Sequence, residues 1–286
     1  MERIFSLDSF VYPKGKKVLL IGHGYWGKKI LLKLQAKFKR DDIFVADIRW
    51  PKMEAIRGVN SIGTEYQSFL QSVDAVVIAT PINTHYRIVE ECIKEGKHVF
   101  CEKPLTQKVS QAETLYGLAK IEKVKLFTDL TFLYDHRIED YSGKEISQIT
   151  WSGPKSLNPE GGILWVLGPH PISLMCHLYK DKPIHVNGTI TDDFVNVEYL
   201  FNYKPRLVKL TMDWREGAIR TRRIDYDGEQ LSPLLLNTIP DPEPLAQALN
   251  HFFSAISRSD SKQTQGNTSM DVVEVLEWTE NTLRSR

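Results

Sequence analysis

Lys17-Val18-Leu19-Leu20-Ile21-Gly22-His23-Gly24-Tyr25-Trp26-Gly27 decides the fold. A short, uninterrupted apolar run reads as a strand buried on both faces. It ends in G-x-G-x-x-G, and a helix with Ile30, Leu31, Leu34 and Phe38 on one face follows, expected over 25–40. In that context Gly22 permits the tight turn, Gly24 lets backbone approach a pyrophosphate, and Gly27 lets the helix pack close to the sheet. Tyr25 and Trp26 fall on the same loop, where the helix N-terminus offers N–H groups and a positive dipole end to phosphates. Asp47 ends the second strand, Ile43–Ala46, 20 residues after Gly27, where a dinucleotide fingerprint places an acid for the adenosine ribose. That favours NAD. Arg49, two residues on, reads as a surface residue or as a partner for a 2′-phosphate, which keeps NADP open.

Working outward, strands and helices alternate to residue 128. Strands are expected at Asp74–Ala79, His98–Cys101 and Val124–Phe127, and helices over 83–95 and 108–122. This order predicts an α/β fold with a doubly wound parallel sheet. After about residue 130 the period changes to apolar–polar alternation, over Ile146–Trp151, Ile184–Thr189, Val195–Leu200, Leu207–Met212 and about 219–226. Alternation of this kind marks antiparallel strands with one wetter face. One helix is expected at 170–179, a proline-rich loop at 232–244, and two final helices near 243–257 and 268–284. The expected organisation is a dinucleotide-binding domain over 1–129 and an α+β domain, built on an open and mainly antiparallel sheet, over 130–286.

The 286 residues, 42% hydrophobic and 26% charged, fit an ordinary globular protein of one or two domains. A net charge of +1 leaves no electrostatic footprint for nucleic acid or an anionic membrane. Cys92, Cys101 and Cys176 form neither a disulfide framework nor a zinc spacing and read as reduced thiols. No apolar run approaches the ~18 residues of a membrane span, and the first residues, with Glu2 and Asp8, do not read as a secretory signal. A cytoplasmic protein is expected. His170 and His177 lack a third ligand at metal spacing, so no metal is expected.

Glu102-Lys103-Pro104 follows the His98–Cys101 strand. A lysine there points into the crevice where open α/β sheets bind ligands, and a cis bond to Pro104 would aim it. With these pieces placed, residues 17–286 resemble the Gfo/Idh/MocA family of oxidoreductases, in the branch acting on sugars or nucleotide-linked sugars. The resemblance rests on Gly22–Gly27, Ala79-Thr80-Pro81-Ile82-Asn83-Thr84-His85, Glu102–Pro104, Gly161-Gly162-Ile163-Leu164-Trp165-Val166-Leu167-Gly168-Pro169-His170, Thr131–Tyr134 and Glu243–Leu245. It implies that Thr80, Pro81 and His85 line the cofactor groove and that Glu102 touches the nicotinamide ribose. It implies that Lys103 bonds the reacting oxygen of a small-molecule substrate, a sugar or nucleotide-sugar, and that His170 exchanges the proton. It also implies a homodimer or homotetramer, with another copy covering the open sheet.

The chemistry is coherent without the family. Oxidising a secondary alcohol needs a base that titrates near neutrality, which histidine supplies, and a cation aimed at the oxygen where charge grows, which lysine supplies. Trp165, Tyr134 and Trp214 are candidates either to stack on a sugar face or to fill the core; Trp165, next to the histidine motif, is taken with Lys103 and His170 as substrate-binding. One departure stands out. Many relatives carry an aspartate four residues before the histidine, and here that position is Val166. Either the substrate lacks a hydroxyl there, or another carboxylate such as Glu160 substitutes, or the protein binds dinucleotide with little turnover.

Overall fold

The computed structural model describes residues 15–49, 56–155, 161–202, 206–227, 233–241, 243–257 and 266–284; Glu160 lies outside them. Strands β1 (Val18–Ile21), β2 (Ile43–Ala46), β3 (Ser61–Gly63), β4 (Ala75–Ile78), β5 (His98–Cys101) and β6 (Leu126–Thr128) make one sheet in the order β3-β2-β1-β4-β5-β6. Every pairing in it is parallel; Leu20, for example, stands opposite Val45 on one side and Val77 on the other. All four residues of β1, β2 and β4 are buried, because helices cover both faces. These crossovers include α1 (Tyr25–Gln35), the short α2 (Gln67–Leu70), α3 (Ile82–Lys94) and α4 (Val109–Ile121). The strand order reverses between β1 and β4. Crevices at such switch points, beyond the carboxyl ends of the strands, are where open α/β sheets hold ligands.

The first helix stops at Gln35 rather than 40: Ala36, Lys37 and Phe38 close its last turn, and a separate 3-10 turn spans Arg40–Asp42. β3 and α2 are absent from the sequence reading. They are three and four residues long, too short for periodicity to declare itself.

The second sheet runs β12-β11-β7-β10-β9-β8, from β7 (Ile146–Ser152), β8 (Pro183–Ile190), β9 (Phe194–Phe201), β10 (Arg206–Asp213), β11 (Thr221–Tyr226) and β12 (Leu234–Leu235). Four of its five pairings are antiparallel, but β10 and β7 run parallel, with Met212 opposite Trp151. Alternation reports a half-buried face and not strand direction, so this mixed sheet was invisible in the sequence. Helices α5 (Gly162–Leu167), α6 (Pro169–Tyr179) and α8 (Gly266–Arg284) pack on its apolar face, where Ile149, Trp151, Val197, Tyr199, Leu210 and Met212 meet Ile172 and Leu276. The opposite face carries Gln148, Thr150, Glu198, Lys209 and Arg223, all at least part-exposed, with Leu200 and Leu207 as its apolar pair. The protein's own helices therefore cover the face that was expected to need a second copy.

The contiguous boundary at 129/130 also needs correction. Helix α7 (Pro244–Ser257) packs on the first sheet through Leu245, Leu249, Phe252 and Phe253, alongside Val18, Leu20 and Phe127. Helix α8 joins both halves: Val273 sits in the first core and Val272 and Leu276 in the second, while Ser269 bonds Thr128 (2.6 Å) and Glu277 accepts from the Val109 amide (2.8 Å). The chain returns after residue 243 to complete the domain it began with.

Candidate active site

The ladder of the first sheet continues past its strand ends. Gly22 N–H donates to Ala46 O (2.7 Å), Ala79 to Ile21 O (2.8 Å), Glu102 to Ile78 O (2.9 Å) and Asp129 to Cys101 O (2.7 Å). These bonds line up the glycine loop, Thr80-Pro81, Glu102-Lys103 and Asp129 along one rim.

The glycine loop fits a dinucleotide. Gly22 has φ +94°, and a Cβ there would meet Ala79 O at 2.4 Å; a Cβ on Gly27 would meet Gly22 O at 2.0 Å. Those two glycines are required by the loop's own packing. Gly24 is different: among the described residues the one atom near its Cβ position is Arg49 Nη2 at 3.7 Å, which leaves its backbone room for the approach of a pyrophosphate. Helix α1 begins there with no side-chain cap and no acid in its first turn, leaving its N–H groups for an anion. Tyr25 and Trp26 are exposed beside it, with the Lys29 ammonium 4.4 Å from both ring centres.

Asp47 does not reach out freely. Its carboxylate is buried, accepting from the His23 amide (2.7 Å), the Arg49 amide (2.9 Å), and Arg49 Nε and Nη2 (3.1 Å each). Burial alone would raise its pKa, but the bonds from Arg49 and His23 outweigh it and hold the carboxyl below its ordinary range. Arg49, read from sequence as a surface residue or a phosphate partner, is thus the aspartate's ion-pair partner at the groove edge. Thr80 takes a bond from the Thr84 hydroxyl (2.7 Å), and Pro81 is exposed at the head of α3. His85, expected on the groove wall, is instead buried beneath it. Its two ring nitrogens engage Thr80 O and Pro104 O (2.9 Å each), tying the two loops together. Burial pushes its pKa down, so the neutral ring can donate to one carbonyl at a time, whichever nitrogen carries the proton.

The Lys103–Pro104 peptide is cis. Lys103 Nζ crosses to the second half and donates to Val166 O (2.7 Å), one helical turn before His170. Behind it lie Glu102 and Asp129, both buried. Burial pushes the Glu102 pKa up, and the like charge of Asp129 pushes it further, while Lys103 pulls it back. Glu102 Oε1 has no hydrogen-bond partner among the described residues. Asp129, which accepts from the Thr131 hydroxyl, is a member of this cluster that the sequence reading missed. Its one signal was an acid immediately after an apolar strand.

His170 stands in the first turn of α6, 8% exposed, against Phe132 (ring centres 4.9 Å apart) and Trp151 (5.7 Å). Its Nδ1 has no partner among the described residues. Burial first, then the nearby charges of Lys103 and Arg222, depress its pKa well below 6.5, so the ring is neutral at pH 7. Trp165, expected to bind substrate, is core: it is 2% exposed and its Nε1 donates to Glu280 (2.8 Å). Tyr134 and Trp214 are buried as well. Val166 offers its carbonyl to Lys103, while its side chain packs against the second core.

A six-stranded parallel sheet with a glycine loop at its switch point defines a nucleotide-binding fold of the Rossmann type. Residues 16–130 match the model of the Gfo/Idh/MocA family, described as an oxidoreductase family with an NAD-binding Rossmann fold. It is 25% identical over 189 residues to inositol 2-dehydrogenase of Rhizobium meliloti, covering 59% of this chain and 57% of that enzyme. It covers 15% and 33% of two uncharacterised oxidoreductases, from Schizosaccharomyces pombe and a Synechocystis species, so it spans under two thirds of these curated relatives. In fold it resembles a UDP-N-acetylglucosamine 3-dehydrogenase from Acidithiobacillus ferrooxidans (TM-score 0.78, 17% identity, 94% and 97% of the two chains). It also resembles GenD2 from gentamicin A biosynthesis, solved in complex with NAD (TM-score 0.78, 18% identity, 97% and 96%).

Proposed function

We propose that the protein transfers hydride between a nicotinamide dinucleotide and a secondary alcohol or ketone of a sugar, nucleotide-sugar or polyol. The observation that carries this reading is that Lys103 Nζ, from the first half, reaches the Val166 carbonyl, four residues before neutral His170 in the second, at the switch-point rim. Two of the proteins named above support the substrate class: an inositol 2-dehydrogenase and, in fold, a UDP-N-acetylglucosamine 3-dehydrogenase.

A nicotinamide, when bound, supplies acceptance or return of the hydride. The glycine loop and the open N-terminus of α1 would hold its phosphates, and Glu102 the ribose beside the ring. Lys103 exchanges Val166 O for the substrate oxygen and stabilises the charge that grows there. His170 takes the hydroxyl proton in oxidation and returns it in reduction. NAD is the cofactor this reading favours, because an acid, Asp47, ends β2; NADP would need Arg49 to leave that acid for a 2′-phosphate. A dimer or tetramer belongs to the same reading and rests on the family resemblance, since the outward sheet face is polar; sedimentation velocity reads it.

The test is NADH oxidation with a panel of keto-sugars and keto-inositols, and NAD reduction with the matching alcohols. Turnover that disappears in Lys103→Met, with NADH binding kept, supports the reading. Tight NADH binding with no turnover across the panel would instead favour a non-catalytic dinucleotide binder.

A further inference from the structure

Arg222 is out of place by the rules that govern the rest of the chain. On β11, Arg222, Ile224 and Tyr226 point to the helix-covered face, and Arg222 stands in register with buried Trp151. A guanidinium on an apolar face costs desolvation unless an anion compensates it. Elsewhere the protein supplies that anion locally: Arg49, Arg137, Arg215 and Arg223 each pair with an aspartate two residues away. The residues two away from Arg222 are Arg220 and Ile224. Among the described residues no carboxylate pairs with Arg222, and its backbone bonds, to Asn237 Oδ1 and from the Leu236 amide (2.8 Å each), involve none of its guanidinium donors.

It stands over the rings that pack on His170. The guanidinium carbon lies 5.0 Å from the Phe132 ring centre and 5.7 Å from that of Trp151, the two rings against which His170 rests. The faces of these rings hold the cation in place and leave its five N–H donors free for a planar anion. Its charge acts on both His170 and Lys103. Arg220, exposed at the rim, adds a second cation near Tyr25.

We propose that Arg222 is a specificity-determining residue that holds a carboxylate or phosphate of the substrate, so that the sugar handled at Lys103 and His170 is an acidic one. This rests on the dehydrogenase reading above and narrows it. A forked guanidinium gives such an anion two parallel, charge-assisted bonds, which orient the ring as well as attract it. The signal was present in the sequence: once Ile224 and Tyr226 are taken as inward, Arg222 must be inward too.

The experiment uses the full chain saturated with NADH and reads thermal stabilisation and apparent affinity for matched probes. These are D-glucuronate, D-galacturonate, glucose 6-phosphate and UDP-glucuronate against D-glucose, D-galactose and myo-inositol. We expect at least one anionic probe to bind on the order of 10-fold or more tightly than its neutral match. Arg222→Met should abolish that preference and Arg222→Lys keep part of it, with NADH affinity equal in all three proteins. Carboxylate and phosphate probes separate the two anion sources. Neutral probes binding as well as anionic ones, no response to any anion, or a preference that survives Arg222→Met each overturns the proposal. NADH affinity falling in Arg222→Met assigns the arginine to the cofactor's pyrophosphate and overturns it too. Wild-type protein that fails to bind NADH overturns the dehydrogenase reading and this one with it, whereas NADH binding without anion discrimination overturns this one alone. Unliganded melting of both variants shows whether they fold.

Discussion

The two sheets solve burial in opposite ways. In the first, Val76 and Val77 are adjacent in β4, point to opposite faces and are both fully buried, because helices lie on each side. In the second, Leu210 is fully buried while its neighbour Lys209 faces water, because helices lie on one side only. The first sheet thus offers no free face, and its candidate ligand groups stand at its edge, on the loops beyond β1, β4 and β5. In the second, the helix-covered face itself carries a charged group, Arg222, in register with Trp151. The candidate groups come together where the edge of the first sheet, at Lys103, reaches Val166 in the second half.

The sharpest way to break this contrast is to put one charge in each sheet. Val77→Asp leaves an unpaired carboxylate with both faces closed and should cost roughly 3–5 kcal/mol. Leu207→Asp, on the outward face opposite Leu200, should stay within about 1 kcal/mol. Urea unfolding followed by far-UV circular dichroism measures both; similar losses would mean the second sheet is covered on its outer face too.

Next in size is the chemical division of labour. Lys103→Met should lower kcat by about 10²–10³, or 3–4 kcal/mol, the range for removing one donor to a developing oxyanion. NADH affinity, read by fluorescence titration, should be unchanged. A loss of NADH binding equal to the loss of rate would move Lys103 from chemistry to cofactor holding.

Two glycines in one loop give a finer contrast. Gly22→Ala forces a side chain into positive φ against Ala79 O and should destabilise by about 1–3 kcal/mol. Gly24→Ala meets open space, so melting should hardly move while NADH affinity drops on the order of 10-fold. The reverse pattern would place the dinucleotide elsewhere.

The smallest effect is in pH. The folded pKa of His170 is depressed, so the unfolded chain binds the extra proton first as pH falls through 6.5. Stability tied to this residue is therefore complete above 6.5 and declines as pH drops toward the lowered folded value. For the same reason kcat/KM for alcohol oxidation should stay level down through pH 6.5, with its histidine limb lower. A limb at or above 6.5, erased by Arg222→Met, would mean that the arginine's anionic partner reverses the local field.

Much of this was legible in the chain. β5 lies at the residues its apolar run marks, and the final two helices start within two residues of their expected ends. Gly22, Gly24 and Gly27 perform distinguishable jobs because their spacing follows from the turn itself. The residues that misled were those whose role depends on a partner far away in sequence. Trp165 and His85 carry the right chemistry for a site, but Glu280 and the carbonyls of Thr80 and Pro104 absorb it. Asp47 carried the right spacing, and Arg49 turned it inward.

The sequence by itself determined the parallel nucleotide-binding half and the glycine loop. These depend on local period, turn chemistry and residue type, which neighbours along the chain specify. Tertiary structure alone decided that β7 and β10 run parallel, that α7 belongs to the first sheet, and which buried polar groups find partners. Those outcomes depend on what lies across the core, and compensation of a half-buried charge is settled in space: Asp135 neutralises Arg137, and no carboxylate among the described residues does so for Arg222.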